Sequence, residues 1–381
     1  MQPFHFHYGP RITCGEGSAA RLADRLPPGP VLFITDTQVL KLGLADTALD
    51  GLRASGCPVM LFSAVEPDPS RATLEAAIEL GRSATVASVV GFGGGSPMDV
   101  AKLAAYLLGS GDDLDAIWGV GQAVGSGLPL VLVPTTAGTG SEATPVAIIT
   151  LPNDEKRGVS SEALIAGHAI LDPSLTTRLP PAITAATGMD AMVHAIEAYC
   201  SLHLKNPISD MLARRALELL AVHFLKACEE PTNIAARAAM LLGAHLAGVA
   251  FANAPVAGVH ALAYPLGSRF HVPHGLSNML MLPHVLAHNM EAAMPLYAEL
   301  GPIVDPSLTG VGRQAQASGL IDALRRMSIA AGMPQRLRDV GVGEHDLDQL
   351  ATDAMLQERL LRNNPAPILW EDAHRLYEAA L

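Results

Sequence analysis

The stretch VASVVGFGGGSPMDVAKLAAYLL, residues 86–108, joins an apolar run to a helical pattern through a glycine-rich turn. Short apolar, β-branched runs that alternate with amphipathic helical patterns continue through the first half of the chain. This alternation predicts βαβ units and a parallel sheet covered by helices on both faces. The predicted strands are residues 31–35, 58–62, 86–91 and 130–133. Of the predicted helices between them, the first ends at residue 42 and the next two span residues 70–82 and 98–108.

The turn within this stretch has the features of an anion-binding loop. Gly93, Gly94 and Gly95 let the backbone approach a ligand closely. We expect Ser96 to cap the following helix and Asp99 to occupy the acidic position of a capping box. Free N–H groups and the helix dipole both favour an anion at such a helix start. A tight turn without a ligand is the alternative interpretation.

A second glycine-containing loop, PTTAGTGSEAT (Pro134–Thr144), follows the strand at 130–133. It offers many hydroxyl and amide donors at the carboxyl end of a strand, where open α/β sheets bind their ligands. Two such loops at one edge predict a long polyphosphate ligand such as a dinucleotide. Asp36, at another strand end, suits the ribose hydroxyls of NAD and disfavours the 2′-phosphate of NADP, although a role as helix N-cap explains it equally well.

The strand pattern stops near residue 180, and long helical periodicities follow. We therefore predict a dinucleotide-binding α/β domain at residues 1–180 and an all-helical, metal-binding domain at residues 181–381. The predicted helices of the second domain are residues 182–202, 207–228, 233–250, 256–266, 278–291, 314–332 and 344–358.

Four potential metal ligands lie in this otherwise apolar second half. Asp190 and His194 are four residues apart, so they share one face of a helix. His260 and His274 follow in a second segment, GVHALAYPLGSRFHVPHGLSN. One carboxylate and three imidazoles suit Fe²⁺ or Zn²⁺ if the fold brings the two segments together. Separate structural roles for these side chains are the alternative.

The composition excludes several classes of partner. The chain of 381 residues is 49% hydrophobic and carries a net charge of −12, which argues against nucleic acid or an anionic membrane as the main partner. The N-terminal residues lack the pattern of a signal peptide, and polar residues within the apolar segment 241–266 argue against a membrane span. The four cysteines have no metal-binding or disulfide spacing. We expect a soluble cytoplasmic protein with reduced thiols.

Five sequence features occur in one order: Asp36, GGGSPMDVAK, PTTAGTGSE, ATGMDAMVHAIEAY and HALAYPLGSRFHVPHG. In this order they resemble the iron-containing (group III) alcohol dehydrogenases, which share a superfamily with glycerol dehydrogenase and dehydroquinate synthase. The resemblance covers nearly the whole chain. It implies a dehydroquinate synthase-like fold, with an N-terminal α/β dinucleotide-binding domain with a parallel sheet, a C-terminal all-helical domain and a catalytic cleft between them.

The resemblance also implies an activity and its residues. A metal, Fe²⁺ in the cell although Zn²⁺ also suits the ligands, would polarise the oxygen of a small alcohol or aldehyde while hydride passes to or from NAD(H), in a homodimer. The implied metal ligands are Asp190, His194, His260 and His274, and Phe251 and Val146 are expected at an apolar substrate pocket. The residues expected at the cofactor are Asp36, Gly93, Gly94, Gly95, Ser96, Asp99, Thr135, Thr136, Thr139 and Arg157, the last where relatives often have a lysine.

Tyr264 is a departure from the family pattern, because relatives usually carry a second histidine four residues after the position of His260. That histidine is thought to help proton relay or cofactor contact. The Tyr264 hydroxyl or His271 could replace it, or the proton could leave through the nicotinamide ribose and water.

Other activities stay open at this point. A maleylacetate reductase-like enzyme would be expected to lack part of the ligand set, which here is complete. A hydroxyacid–oxoacid transhydrogenase would retain its cofactor tightly. A lyase similar to dehydroquinate synthase and a non-catalytic metal- or nucleotide-binding protein rank lower.

Overall fold

The computed structural model describes residues 3–152 and 155–381, and the chain divides into two compact units. The α/β unit is Tyr8–Arg178, and the helical unit is Leu179–Leu381 together with the residues up to His7. His7 joins the helical unit through two backbone contacts with the side chain of Asn253, whose Oδ1 accepts from the His7 N–H and whose Nδ2 donates to the His7 carbonyl, both at 2.8 Å.

The α/β unit is built on a parallel six-stranded sheet. Its strand order is β1-β9-β6-β4-β2-β3, and every neighbouring pair is parallel. A smaller sheet has the order β5-β8-β7, with β7 and β8 antiparallel. The strands are β1 Arg11–Cys14, β2 Val31–Ile34, β3 Val59–Phe62, β4 Ser88–Gly93, β5 Gly119–Val120, β6 Leu130–Pro134, β7 Val146–Thr150, β8 Lys156–Ser160 and β9 His168–Leu171.

The central strands are apolar without alternation because both faces of the large sheet are covered. Leu32 and Ile34 of β2 belong to one buried cluster. Val31 and Phe33, the alternate residues of the same strand, belong to another. Successive side chains of a strand point to opposite faces, so the helices of the unit pack on both sides. These helices are α1 Thr37–Lys41, α2 Asp46–Ala54, α3 Arg71–Ser83 and α4 Gly95–Ser110.

The predicted parallel sheet is confirmed, and the strands missing from the sequence prediction are β1, β5, β7, β8 and β9. β1 is an edge strand of four residues, three of them exposed. Its partner β9 is also only four residues long. With three exposed residues, β1 lacks the apolar run of a buried strand, which is why it was not predicted.

The helical unit is organised around α5. The side chains of this helix from Met189 to Cys200 are all buried, and it packs against α6, α7 and α9. The helices of the unit are α5 Pro181–Cys200, α6 Pro207–Glu229, α7 Ile234–Asn253, α8 Gly258–Phe270, α9 His274–His288, α10 Met290–Val304, α11 Arg313–Ala330, α12 Leu347–Met355, α13 Glu358–Leu361 and α14 Trp370–Ala380.

The helices α10, α13 and α14 are absent from the sequence prediction, and α9 begins earlier than predicted. α10 was not predicted, and it contains Pro295 and Pro302, which normally end a helix. α9 begins at His274 rather than at 278 as predicted, directly after Pro273. This earlier start places His274 on the first turn of a helix instead of in a loop.

The helix α7 is the one described helix that is long and apolar enough to cross a membrane by length and composition. Within its most apolar window, 61% of the residues are buried inside the protein. α7 packs against α5 and α6, as expected of a core helix.

Close packing of α9 against α5 depends on Gly275. A Cβ atom at this position would lie 2.3 Å from the carbonyl oxygen of Ala186 and 3.1 Å from Cβ of Asp190. Gly275→Ala should therefore destabilise the protein by about 1–3 kcal/mol, even though alanine favours a helix more than glycine does.

The matched control is Gly167→Ala, where the nearest atom to the new Cβ would be the Leu130 carbonyl oxygen at 3.7 Å. Urea unfolding of both variants measures the difference. Equal stability of the two variants would contradict the close α5–α9 contact.

Candidate metal centre and cofactor loops

The four predicted metal ligands lie together in the helical unit. Asp190 and His194 occupy one face of α5, His260 lies on the first turn of α8, and His274 begins α9. One ligand atom from each side chain lies within 4.8 Å of the others. The Oδ1 atom of Asp190 is 3.9 Å from Nε2 of His194 and 3.7 Å from Nε2 of His274. The fold thus brings together the two sequence segments that the prediction required.

Three of the four ligand side chains are buried, and the fourth is accessible to solvent. The side chains of Asp190, His194 and His260 are at most 5% exposed, whereas that of His274 is 42% exposed. Burial acts to raise the pKa of Asp190, but His194, His274, His260 and a hydrogen bond from Asn278 outweigh it, so the pKa lies below its usual value. Asp190 is therefore a carboxylate at neutral pH, as a metal ligand must be.

The donor set fits a divalent transition-metal ion. Metal–ligand bonds of roughly 2.0–2.2 Å place tetrahedral ligand atoms about 3.4 Å apart, close to the separations around Asp190. The Nδ2 atom of Asn278 lies 2.7 Å from Oδ1 of Asp190, 3.1 Å from Nε2 of His260 and 3.2 Å from Nε2 of His274. Because an amide NH₂ has only two hydrogens, it cannot serve three acceptors. The acceptor atoms of Asp190, His260 and His274 thus lie close to one another, as those of metal ligands do.

Glu197 orients His260 from the side opposite the cluster. Its Oε2 atom lies 2.6 Å from Nδ1 of His260 and accepts from the backbone N–H of Ala257 at 2.9 Å. Its Oε1 atom accepts from the backbone N–H of Val259 at 2.6 Å. Sequence reasoning missed Glu197, although it follows His194 by three residues on the same buried helix face. A buried acid in an apolar helix needs partners, and that signal was available.

Two aromatic side chains, those of Phe251 and Tyr264, lie beside the ligand cluster. The ring of Phe251, on α7, stacks on that of His194 with centroids 4.5 Å apart. The ring of Tyr264 lies edge-on to His260 at 6.4 Å and tilted to His274 at 5.8 Å. His271 ends α8 in the left-handed conformation. Phe251 and Tyr264 are thus beside the cluster, and their parts in substrate binding and proton transfer stay predictions.

In the α/β unit, the two predicted cofactor loops are neighbours. β4 and β6 pair in register so that Gly93 lies opposite Pro134, and the backbone N–H of Thr135 donates to the Gly93 carbonyl at 2.9 Å. A Cβ on Gly94 would lie 3.7 Å from Oγ1 of Thr136. A Cβ on Gly95 would lie 3.2 Å from Cγ2 of Thr139. Side chains on these glycines would therefore fill the space between the loops.

The start of α4 differs from the prediction. The N-cap residue is Gly94, the helix begins at Gly95, and no side chain caps it. The predicted N-cap role of Ser96 is therefore wrong, because the chain turns into the helix two residues earlier. The first amide groups of α4 keep no side-chain acceptor, which suits an anion at this helix start.

The predicted capping role of Asp99 is also wrong. Its Oδ1 atom accepts from the Ser141 hydroxyl at 2.6 Å, and its Oδ2 atom accepts from the backbone N–H of Ile148 at 3.0 Å. Asp99 therefore ties α4 to the second loop and to β7. Its predicted contact with the cofactor stays a prediction.

Lys102 completes this connection and was missed from the sequence. Its ammonium group is fully buried and donates to the Ser141 hydroxyl at 2.7 Å, the Thr144 hydroxyl at 3.2 Å and the Val146 carbonyl at 2.7 Å. Nζ lies 3.6 Å from Oδ1 of Asp99. Burial lowers the pKa of Lys102 and raises that of Asp99, while the attraction between the two charges opposes both shifts.

Asp36 lies at the carboxyl end of β2, the strand beside β4. Its Oδ1 atom accepts from the backbone N–H groups of Gln38 and Val39 at 2.8 Å, so it is the N-cap of α1. Its Oδ2 atom would lie 3.4 Å from a Cβ on Gly93. One oxygen therefore caps the helix and the other faces the glycine loop, so the two interpretations of Asp36 are compatible.

Arg157 and Val146 lie on the two paired strands β8 and β7 of the small sheet. The guanidinium of Arg157, on β8, donates to Glu155 at 2.9 Å and lies over the Trp118 ring. Val146 begins β7. The predicted contacts of Arg157 with a cofactor and of Val146 with a substrate stay predictions.

Comparison with known proteins gives a consistent result for both units. Residues 9–173 match the family described as iron-containing alcohol dehydrogenase, and residues 184–381 match the C-terminal part of the same family. The chain belongs to the iron-containing alcohol dehydrogenase family.

Individual relatives differ in the substrates their names give. Long-chain-alcohol dehydrogenase 1 of Geobacillus thermodenitrificans is 40% identical over 93% of this chain and 90% of its own length. A crystal structure of 1,3-propanediol oxidoreductase has a TM-score of 0.96 with 32% identity, over 100% of both chains. The sulfoacetaldehyde reductase of Bifidobacterium kashiwanohense, in complex with NAD⁺, has a TM-score of 0.86 with 28% identity, over 100% of this chain and 99% of its own.

The Lys102–Asp99 pair allows a quantitative test. Removal of one partner from a buried ion pair typically costs about 3–5 kcal/mol, so Lys102→Met should destabilise the protein by about that amount. The double variant with Asp99→Asn should be more stable than the sum of the single effects predicts, because neither charge is then left alone. Chemical denaturation of the four proteins of this cycle measures the coupling, and strictly additive losses would contradict the pairing.

Proposed function

We propose that the protein is a metal-dependent alcohol dehydrogenase that transfers hydride between NAD(H) and a small alcohol or aldehyde. The cluster of Asp190, His194, His260 and His274 carries the proposal, since three imidazoles and one carboxylate converge in a buried site. Family membership supports this choice of reaction, because relatives are named as alcohol dehydrogenases or as a sulfoacetaldehyde reductase.

The same four side chains would hold the metal, with Fe²⁺ proposed for the cell and Zn²⁺ as a second ion that these ligands suit. When bound, the metal supplies Lewis-acid polarisation of the substrate oxygen, and the nicotinamide supplies or accepts the hydride. Asp190 contributes negative charge, Asn278 holds its carboxylate by a 2.7 Å hydrogen bond, and Glu197 holds His260. The exposed edge of His274 leaves the cluster accessible to a substrate.

The residues around the cluster favour a substrate with an apolar carbon chain. Phe251 covers the ring of His194, and Tyr264 lies beside His260 and His274. We propose that Phe251 contacts the substrate chain and that the Tyr264 hydroxyl takes part in proton transfer, in place of the histidine that relatives usually have.

We propose NAD over NADP because Asp36 places a carboxylate oxygen next to the glycine loop, where it would repel a 2′-phosphate. The remaining parts of the proposal are a homodimer in the cytoplasm without nucleic-acid or membrane partners. The net charge of −12 supports the absence of nucleic-acid and anionic membrane partners.

The proposal is tested by metal analysis of anaerobically purified protein and by NADH oxidation with a panel of aldehydes. The key variant is His260→Ala, which should lower metal-dependent turnover by at least about 100-fold, since even the loss of a residue behind a ligand costs 10–100-fold. NAD binding should be unchanged. The control is His345→Ala, which alters a side chain that is 87% exposed and should leave turnover unchanged.

Two outcomes would defeat the proposal. One is full activity of the His260→Ala variant in metal-free buffer. The other is turnover of paired hydroxy- and oxoacids without added NAD(H) and none with aldehydes, which would indicate a transhydrogenase.

The cofactor preference rests on the charge of Asp36. Asp36→Asn keeps an oxygen for the N–H groups of Gln38 and Val39 but removes the negative charge, so kcat/KM with NADPH relative to NADH should rise by about tenfold, equivalent to about 1.4 kcal/mol. Asp50→Asn, which makes the same charge change at a side chain that is 73% exposed, is the control. An unchanged preference in Asp36→Asn would contradict the role of this carboxylate.

A further inference from the structure

We propose that Glu197 is a positioning residue that fixes the tautomer and orientation of His260 and holds the start of α8 in place for the metal. The inference rests on the proposed function, since it concerns how the chain prepares the metal site. Glu197 is a buried acid on α5, and its three contacts of 2.6–2.9 Å all reach α8 or its N-cap residue.

The tautomer of His260 follows from the partner of its Nδ1 atom. A carboxylate accepts hydrogen bonds and has none to donate. The 2.6 Å contact between Nδ1 of His260 and Oε2 of Glu197 therefore places the imidazole proton on Nδ1. The lone pair of Nε2 then faces Nδ2 of Asn278. The other three metal ligands lie on the same side of the ring. Only that tautomer can bind a metal through Nε2.

The same carboxylate fixes the backbone that carries His260. The N-cap residue of α8, Ala257, provides no side-chain cap of its own. Glu197, on the neighbouring helix α5, provides this cap by accepting from the backbone N–H groups of Ala257 and Val259. The ring and the helix turn beneath it are thus tied to one carboxylate, and this carboxylate lies on the helix that carries Asp190 and His194.

The arrangement explains how ligands far apart in the chain acquire a common geometry. Asp190, His194 and Glu197 are spaced along one buried face of α5. Two of them are metal ligands, and the third reaches the helix that supplies another.

The variant that tests the inference is Glu197→Gln, which keeps the size of the side chain. In either orientation of its amide, the NH₂ group faces a backbone N–H, that of Ala257 or that of Val259. If the NH₂ faces His260, the imidazole proton moves to Nε2 and the ring cannot bind a metal. If it faces Val259, His260 loses its carboxylate partner and becomes a weaker ligand. We expect metal affinity to fall by about 10–100-fold.

The measurement is the dissociation constant of Zn²⁺ for the folded full chain, obtained by competition with a chromophoric chelator. The control is Tyr377→Phe, because the buried Tyr377 hydroxyl donates to the Leu262 carbonyl at 2.6 Å and thus also supports α8, without contacting His260. We expect this control to lower thermal stability but to leave Zn²⁺ affinity unchanged. A purely structural role of Glu197 would make the two variants behave alike.

Each outcome has a distinct meaning. Absence of Zn²⁺ binding in the unaltered protein would overturn the proposed function itself. Normal binding there with undiminished affinity in Glu197→Gln would overturn only the present inference, and so would equal losses in Glu197→Gln and Tyr377→Phe.

If Glu197→Gln does not fold, the tautomer of His260 is determined instead. Nitrogen NMR of the unaltered, metal-free chain with labelled histidine measures it. The signal that disappears in His260→Ala should show protonation at Nδ1. Protonation at Nε2 would overturn the inference.

Discussion

The structure of the helical unit depends on the burial of charged and ionisable groups within the apolar helix α5. Asp190, His194 and Glu197 would each destabilise the core if they lacked partners. Their partners come from α8 and α9, so the same contacts pack the three helices together and bring the candidate metal ligands together. The close approach of α9 at Gly275 belongs to the same constraint, since it brings His274 to Asp190.

In the α/β unit, the topology of the sheet brings the candidate cofactor loops together. Neighbouring parallel strands end at the same edge, so the loops after β2, β4 and β6 meet without long-range side-chain contacts. Lys102 and Asp99 then fix the second loop against α4 through buried polar contacts. No side chain caps the start of α4, which leaves its first N–H groups suited to an anion.

Much of this could be predicted from the sequence because the signals were periodic or local. The apolar runs at 31–35 and 130–133 correspond to β2 and β6, and the family resemblance is confirmed by the family match to both halves of the chain. The spacing of Asp190 and His194 placed them on one helix face. The residues that escaped prediction act over long sequence distances. Glu197 bonds a residue 63 positions away, so the sequence indicates that this acid needs a partner but not which residue provides it.

The central claim is that four side chains of this chain bind one divalent metal ion. X-ray absorption spectroscopy of the metal-loaded protein tests it most directly, because it reports the atoms bound to the metal. The account predicts a shell of nitrogen and oxygen atoms at roughly 2.0–2.2 Å, with outer-shell scattering from three imidazole rings. A sulfur atom in the first shell, or fewer than three imidazoles, would contradict it.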